Sequence, residues 1–237
     1  MNAALQPKRI LGFSLVEMAI VLAIVGLLMA TMLPNLTSQI EQQRRTEARK
    51  QLAEIQQSLM GFAVMNKRLP CPTTQADPTN ADYGKEANDC WTSSPTTEGY
   101  LPWKTLGVSE IDPWGVKRNS SSDLWKGYWR YRVDRNFAKT STLITLTTGF
   151  SSDSLLIKDN SGNALTGTEK PIAIIFSTGT DLVGNAENAN TTEPNPKFEQ
   201  TSGIYQSDVP NSNFDDILVW ISRPQLFNRL VAAGKLP

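Results

Sequence analysis

The sequence predicts an α+β protein in which one long N-terminal helix packs on an antiparallel β-sheet. Three observations carry that expectation. An apolar run from Phe13 to Leu33 passes into a segment whose apolar residues recur at three- and four-residue steps as far as Leu69. Beyond it, short alternating or wholly apolar runs are separated by stretches rich in Pro, Gly, Asn, Asp and Ser. An amphipathic segment after Ser222 predicts a terminal helix.

The first element is the apolar run. At about 1.5 Å per residue, Phe13 to Leu33 covers roughly 30 Å, the thickness of a bilayer's hydrocarbon core. Lys8 and Arg9 precede it without any acidic residue, so the positive-inside rule keeps the N-terminus cytoplasmic and sends the bulk of the chain across the membrane. A secretory signal fits poorly, because the apolar core is too long and "MATMLPN" offers no small-x-small cleavage site. Glu17 is the anomaly. A carboxylate at mid-membrane costs about 2.5–3.5 kcal/mol on insertion scales, and less near the edge. It therefore needs a partner. Cleavage after Gly12 creates one, since the new α-amine on Phe13 lies four residues from Glu17 on the same helical face, or can meet Glu17 of a neighbouring chain.

Pro34 is expected to bend or loosen the helix where it leaves the membrane. From there to Leu69, Leu36, Ile40, Ala48, Leu52, Ile55, Leu59 and Phe62 form one apolar stripe between charged residues. Leu69-Pro70 ends the helix. "RRTEARK" is a solvated face of this helix. A sheet from the remaining chain is the economical cover for the stripe.

Residues 70–127 are expected to form a long ordered loop region. Cys71 and Cys90 lie too far apart for a CxxC site, so outside the cytoplasm a disulfide is the simple reading, with two buried thiols as the alternative. Trp91, Trp103, Trp114, Trp125 and Trp129 crowd this part of the chain. They are read as core of a segment short of aliphatics, against the alternative of a stacking platform for sugar or single-stranded nucleic acid.

"YWRYRV" alternates Trp129, Tyr131 and Val133 against Arg130 and Arg132, which predicts a half-buried strand, and "STLITLTT" alternates similarly. "PIAIIFS" (171–177) and "DDILVWIS" (215–222) are apolar on both faces and are expected to be central strands. "PQLFNRLVAAG" begins with Pro and ends with Gly234, the usual asymmetry of a short helix.

Composition bounds the chemistry. The chain has 237 residues, 23 basic and 23 acidic, and no histidine. Balanced charge supplies no chain-wide pull on nucleic acid, and the missing histidine removes Ser/His/Asp and Cys/His catalysis and histidine-ligated metals. No motif for a Ser/Lys or carboxylate-pair site is present, so the chain is not read as an enzyme.

"GFSLVEMAIVLAIVGLLMATMLP" resembles the signal and N-terminal helix of type IV pilins and type II secretion pseudopilins. Gly12, Phe13, Glu17, Gly26 and Pro34 stand at that family's spacing. The resemblance implies a leader at 1–12, removed by a prepilin peptidase that also N-methylates Phe13. It implies a transmembrane helix at 13–33, its amphipathic continuation at 34–69, and a periplasmic pilin domain at 70–237. Glu17 then pairs with the Phe13 amine of an adjacent subunit during assembly, at an inner-membrane platform and among other pilin subunits. Loss of Lys8 and Arg9 from the 23 basic residues leaves 21, so the mature chain is mildly acidic. The layout "RLPCP…C…GYLPWKTLGV…DPWG" is similar to a subset of prepilin-type proteins, and the long loops favour a minor pilin. A type II secretion pseudopilin, or a tip module for DNA uptake or adhesion, are the competing roles. "STGTD" and "FDD" resemble loops with which some pseudopilins bind calcium, making Asp181, Asp215 and Asp216 weak ligand candidates beside the simpler reading of a solvated loop. No other cofactor is expected.

Overall fold

The computed structural model describes residues 14–90, 98–152, 155–189 and 203–236, with the side chains of 30–36 left aside. Two compact units result, Met1–Gln43 and Arg44–Pro237. Helix α1 (Leu15–Asn66) is the first element. It ends where Lys67 turns into the left-handed region at φ 51° and its N–H closes on the Ala63 carbonyl at 2.8 Å. Two residues on, the Leu69 N–H donates to the Phe137 carbonyl at 2.7 Å.

Within Arg44–Pro237, Ala48, Leu52, Ile55 and Leu59 of the predicted stripe are at most 1 % exposed and share one core with the sheet. Ala63 continues that stripe in place of Phe62, which is only partly buried. Ile40, read as part of the same stripe, belongs to the other unit and is exposed.

Four antiparallel strands form the main sheet, in the order β1 (Glu98–Tyr100), β2 (Arg130–Val133), β4 (Pro171–Ser177) and β6 (Ile217–Ser222). Tyr131 stands opposite Ile175, and Ile175 opposite Val219. Alternate residues therefore share a face. Tyr131, Val133, Ala173, Ile175 and Ile221 join the core under α1, whereas Ile174, Phe176 and Leu218 join a second cluster on the opposite face. A register shift between Pro171 and Ala173 lets Ile172 and Ala173 both reach the first core.

The second face is covered by β3 (Leu156–Lys158) and β5 (Ile204–Gln206), a parallel pair that brings Ile157 and Tyr205 onto Ile174 and Phe176. This corrects the half-buried expectation for "YWRYRV": all four residues of β2 are buried. Arg130 and Arg132, 4 % and 1 % exposed, point into the gap between the sheets. Arg130 pairs there with Glu98 of β1, which also accepts the Tyr205 hydroxyl, and Arg132 donates to that hydroxyl at 3.5 Å. Buried charges of this kind persist only when paired and hydrogen-bonded.

Two further expectations are corrected. β4 is central, but β6 is an edge strand of its sheet. "STLITLTT" forms no strand, because its threonines bond to each other and to their own backbone: Thr145 N–H donates to Thr148 Oγ1 at 2.9 Å, and Thr148 N–H returns to the Thr145 carbonyl at 3.0 Å. Ile144 alone among its leucines and isoleucine is buried.

Short α2 (Trp103–Leu106) interrupts the loop region, and α3 (Arg135–Ala138) follows β2 behind Asp134 as N-cap. The terminal helix α4 (Arg223–Ala232) forms as expected. Ser222 and Gln225 close a capping box, Pro224 sits in the first turn, and Gly234 takes φ 64° beyond the end. Leu226 and Leu230 anchor the helix in the main core.

Candidate functional site

Gly12 and Phe13 lie outside the described residues. Glu17 is described, and its surroundings were missed in the sequence. The Ser14 N–H donates to Glu17 Oε2 at 2.8 Å, and the Glu17 N–H donates to Ser14 Oγ at 3.2 Å. The Ser14 carbonyl accepts Met18 N–H at 3.2 Å. Ser14-Leu15-Val16-Glu17 thus closes a reciprocal capping box at the head of α1. The S-x-x-E spacing was the available signal, obscured by reading Glu17 only as a charge.

The residues that follow are an apolar surface without internal cover. Leu15 is 89 % exposed, Leu27 70 % and Val16 67 %. A Cβ built on Gly26 meets nothing within 4 Å, so nothing in the chain itself requires glycine there. An apolar face of this extent marks contact with lipid or protein. Among the described residues no helix is long and apolar enough to cross a membrane. The expected span, 13–33, extends past the described side chains at both ends, and Leu15 to Met29 falls short of the ~20 residues a crossing needs. Helix α1 runs through Pro34, whose side chain is not described, so the expected bend lies outside what the structure reports.

In the loop region Cys71 and Cys90 are joined, with Cα atoms 5.6 Å apart. Glu86 reinforces that staple: it receives both terminal nitrogens of Arg68, at 2.7 and 2.9 Å, and the Cys71 N–H at 3.2 Å. Trp103, Trp114, Trp125 and Trp129 are all at least nine-tenths buried, while Trp91 lies outside the described residues. Trp125 illustrates why these rings form no platform. Tyr100 stacks on it at 4.0 Å between centroids, and the Arg118 guanidinium lies 3.9 Å from its centroid. Two groups that close to one ring must occupy opposite faces, which leaves neither for a ligand. Tyr83 donates to the Tyr128 hydroxyl, which donates to Glu110. Burial pushes both phenols upward, so neither ionises near neutrality.

The three candidate calcium ligands do not converge. Asp215 Oδ2 accepts the N–H groups of Thr180 and Asp181, and Asp216 Oδ2 accepts those of Asn185 N–H and the Asn188 side chain, the last two at 2.9 Å. Asp181 accepts from Val183 N–H at 2.9 Å and the Asn185 side chain at 3.1 Å. These carboxylates hold the connection after β4 against the start of β6. Among the described residues no group of Cys, Asp and Glu could hold a metal ion. The connection is shaped tightly: Leu182 and Ala186 take φ 63° and 48°, and a Cβ at Gly179 would lie 2.5 Å from the Asp215 carboxyl carbon. Burial raises Asp216 to about 7 against the opposing bonds from Asn185 and Asn188. It raises Asp112 to about 6 against bonds from Ser177, Trp114 and Gly115. The same connection walls a cleft of about 240 Å³ floored by Tyr100, Tyr128 and Arg130.

Residues 7–33 match the family model for the prokaryotic N-terminal methylation motif, the prepilin-cleavage signature of type IV pilins and pseudopilins. The long N-terminal helix and four-stranded antiparallel sheet make an α+β, pilin-like fold behind it. Neither the curated proteins nor the solved structures yielded a match.

Proposed function

We propose that this chain is a minor pilin: a structural subunit, not an enzyme, of a type IV pilus-like filament. The observation that carries the reading is the methylation-motif match over 7–33, which falls on an exposed apolar helix with Glu17 in its first turn. In this reading a prepilin peptidase removes 1–12 and methylates Phe13. Residues 13–33 anchor the precursor in inner-membrane lipid, N-terminus cytoplasmic, with the 70–237 domain in the periplasm. An assembly platform then moves the apolar helix from lipid into a filament of other pilin subunits, where Glu17 meets the Phe13 amine of a neighbour. Either charge alone in that water-poor core is penalised, and the pair fixes register.

Intact-mass and N-terminal analysis of membrane-extracted protein is the test of processing. The expected chain starts at methylated Phe13, and a product retaining Lys8 and Arg9 overturns the reading. Assembly is tested by probing sheared filaments for the subunit. Glu17→Ala should abolish its presence there while leaving cleavage after Gly12 intact, and normal incorporation of that variant would refute the pairing.

A further inference from the structure

We propose that the globular unit carries a binding basin for an acidic saccharide, formed between α3 and the threonine-rich loop at 142–149. The basin belongs wholly to Arg44–Pro237 and does not depend on the filament reading.

Two adjoining depressions make it up. One, of about 280 Å³, is lined by Asn136, Lys139, Gly149 and the threonines of the loop. The other, of about 250 Å³, shares Asn136 and Lys139 and adds Arg135, Phe150 and Ser152. Among the described residues no acidic side chain lines either one. Asp134, the neighbour of Arg135, is buried, and its carboxylate accepts the N–H groups of Asn136 and Ser151 at 2.9 Å. Lys139 is half-buried, common to both depressions, and pairs with no acid among the described residues. An ammonium drawn partly out of water in this way favours an anion from outside.

Gly149 is an independent observation. Its backbone stays out of the left-handed region, and a Cβ built on it meets nothing within 4 Å. Neither conformation nor packing requires glycine there, and the missing side chain leaves the depression open. The wall around it is held in place by the chain itself. Ile144 is buried and its N–H donates to the Lys67 carbonyl at 2.9 Å. Arg223 donates to the Leu146 carbonyl at 3.1 Å, and the Asn136 amide to the Gly149 carbonyl at 3.1 Å. A loop fixed in advance loses little entropy when a ligand arrives.

The lining selects the ligand. Lys139 and Arg135 supply positive charge, and Arg135 also donates to Ser152 Oγ at 3.1 Å. Hydroxyls and amides both donate and accept, which matches the hydroxyl groups of a sugar ring. Phe150, half-buried, adds an apolar contact for the ring's C–H face. A lone phosphate would leave most of either depression unfilled. A DNA duplex draws its affinity from a track of neutralised phosphates, and two cations do not make such a track.

The test uses the full mature chain in detergent micelles with isotope-labelled threonine. Trigalacturonate is the acidic probe, maltotriose the neutral one, and inorganic phosphate and a short DNA duplex are the other anions. At low salt, trigalacturonate should shift the Thr145 and Thr148 amide resonances saturably, and each of the other three should bind at least tenfold more weakly. Lys139→Gln should weaken trigalacturonate at least tenfold. Gly149→Leu should abolish its binding without lowering Tm, since the added side chain enters open space. Lys117→Gln, whose ammonium lies 3.3 Å from Glu110, should change nothing. If the leucine variant melts early, Lys139→Gln, which leaves the packing alone, decides. No saturable shift with trigalacturonate would overturn the proposal, as would equal binding of maltotriose, phosphate or the duplex. Parental binding in Lys139→Gln, or in a Gly149→Leu protein with the parental Tm, would overturn it too.

Discussion

Asp216 should make the globular unit less stable as pH rises, opposite to the behaviour of an ordinary salt-bridged carboxylate. Its side chain is 3 % exposed at residue level, and burial raises it to about 7 from the usual 3.8, with Asp215 adding to the rise and Arg130 opposing it. The folded state thus binds a proton that the unfolded chain has already released. Stability is fully present below about 3.8 and is lost as pH climbs through about 7. Between pH 5 and pH 8 the loss for this one group is roughly 3 kcal/mol, treated as a ceiling because water entry on ionisation would soften it. For a unit of this size that lowers Tm by about 5–10 °C. Asp112, raised to about 6, adds in the same direction over the same interval. Thermal melts of the purified chain at pH 5 and pH 8, at equal ionic strength, measure the sum. Asp216→Asn keeps an oxygen for the Asn185 N–H and Asn188 amide and removes the titration, so its Tm difference between the two pH values should shrink by about two-thirds. Equal melts for the parent at both pH values, or an Asn variant with the parental slope, would refute the reasoning.

Glu98→Ala should be far more damaging than a surface change. It strands the Arg130 guanidinium and the Tyr205 hydroxyl between the two sheets, and denaturant melts should show a loss of about 3–5 kcal/mol. Breaking the Cys71–Cys90 bridge by a double serine substitution should cost about 3 kcal/mol on the loop-entropy model for a separation of 19 residues. Non-reducing peptide mapping should recover the two cysteines linked, and ready alkylation of both without reductant would contradict the bridge. Leu52→Ala, at a fully buried position on the core side of α1, should cost about 2–5 kcal/mol in the same melts, whereas Met65→Ala on the exposed side should stay within about 0.5 kcal/mol.

Local signals were legible wherever a residue's own chemistry decided its structure. The 3.6-residue stripe of α1, the Ser222 start of α4 and the apolar strand β4 all follow from side-chain spacing and backbone preference, whereas α1 stops at Asn66, three residues before the Leu69 expected from the following proline. The Ser14–Glu17 box belongs to the same class, because its partners are three residues apart. The candidate ligands Asp181, Asp215 and Asp216 were recognisable as residues of one connection, but their task was not: only the folded connection shows each carboxylate accepting backbone N–H groups instead of converging on an ion. The tertiary structure decided what no local pattern contains. Arg130 and Arg132 alternate like the solvent face of a strand, and become interior because β3 and β5, from distant parts of the chain, lie over them. Three-residue strands carry almost no periodicity, so their pairing is set by the apolar area and hydrogen bonds gained together with the main sheet. Glu98 then receives a buried charge whose need for a partner exists only after that second layer is in place.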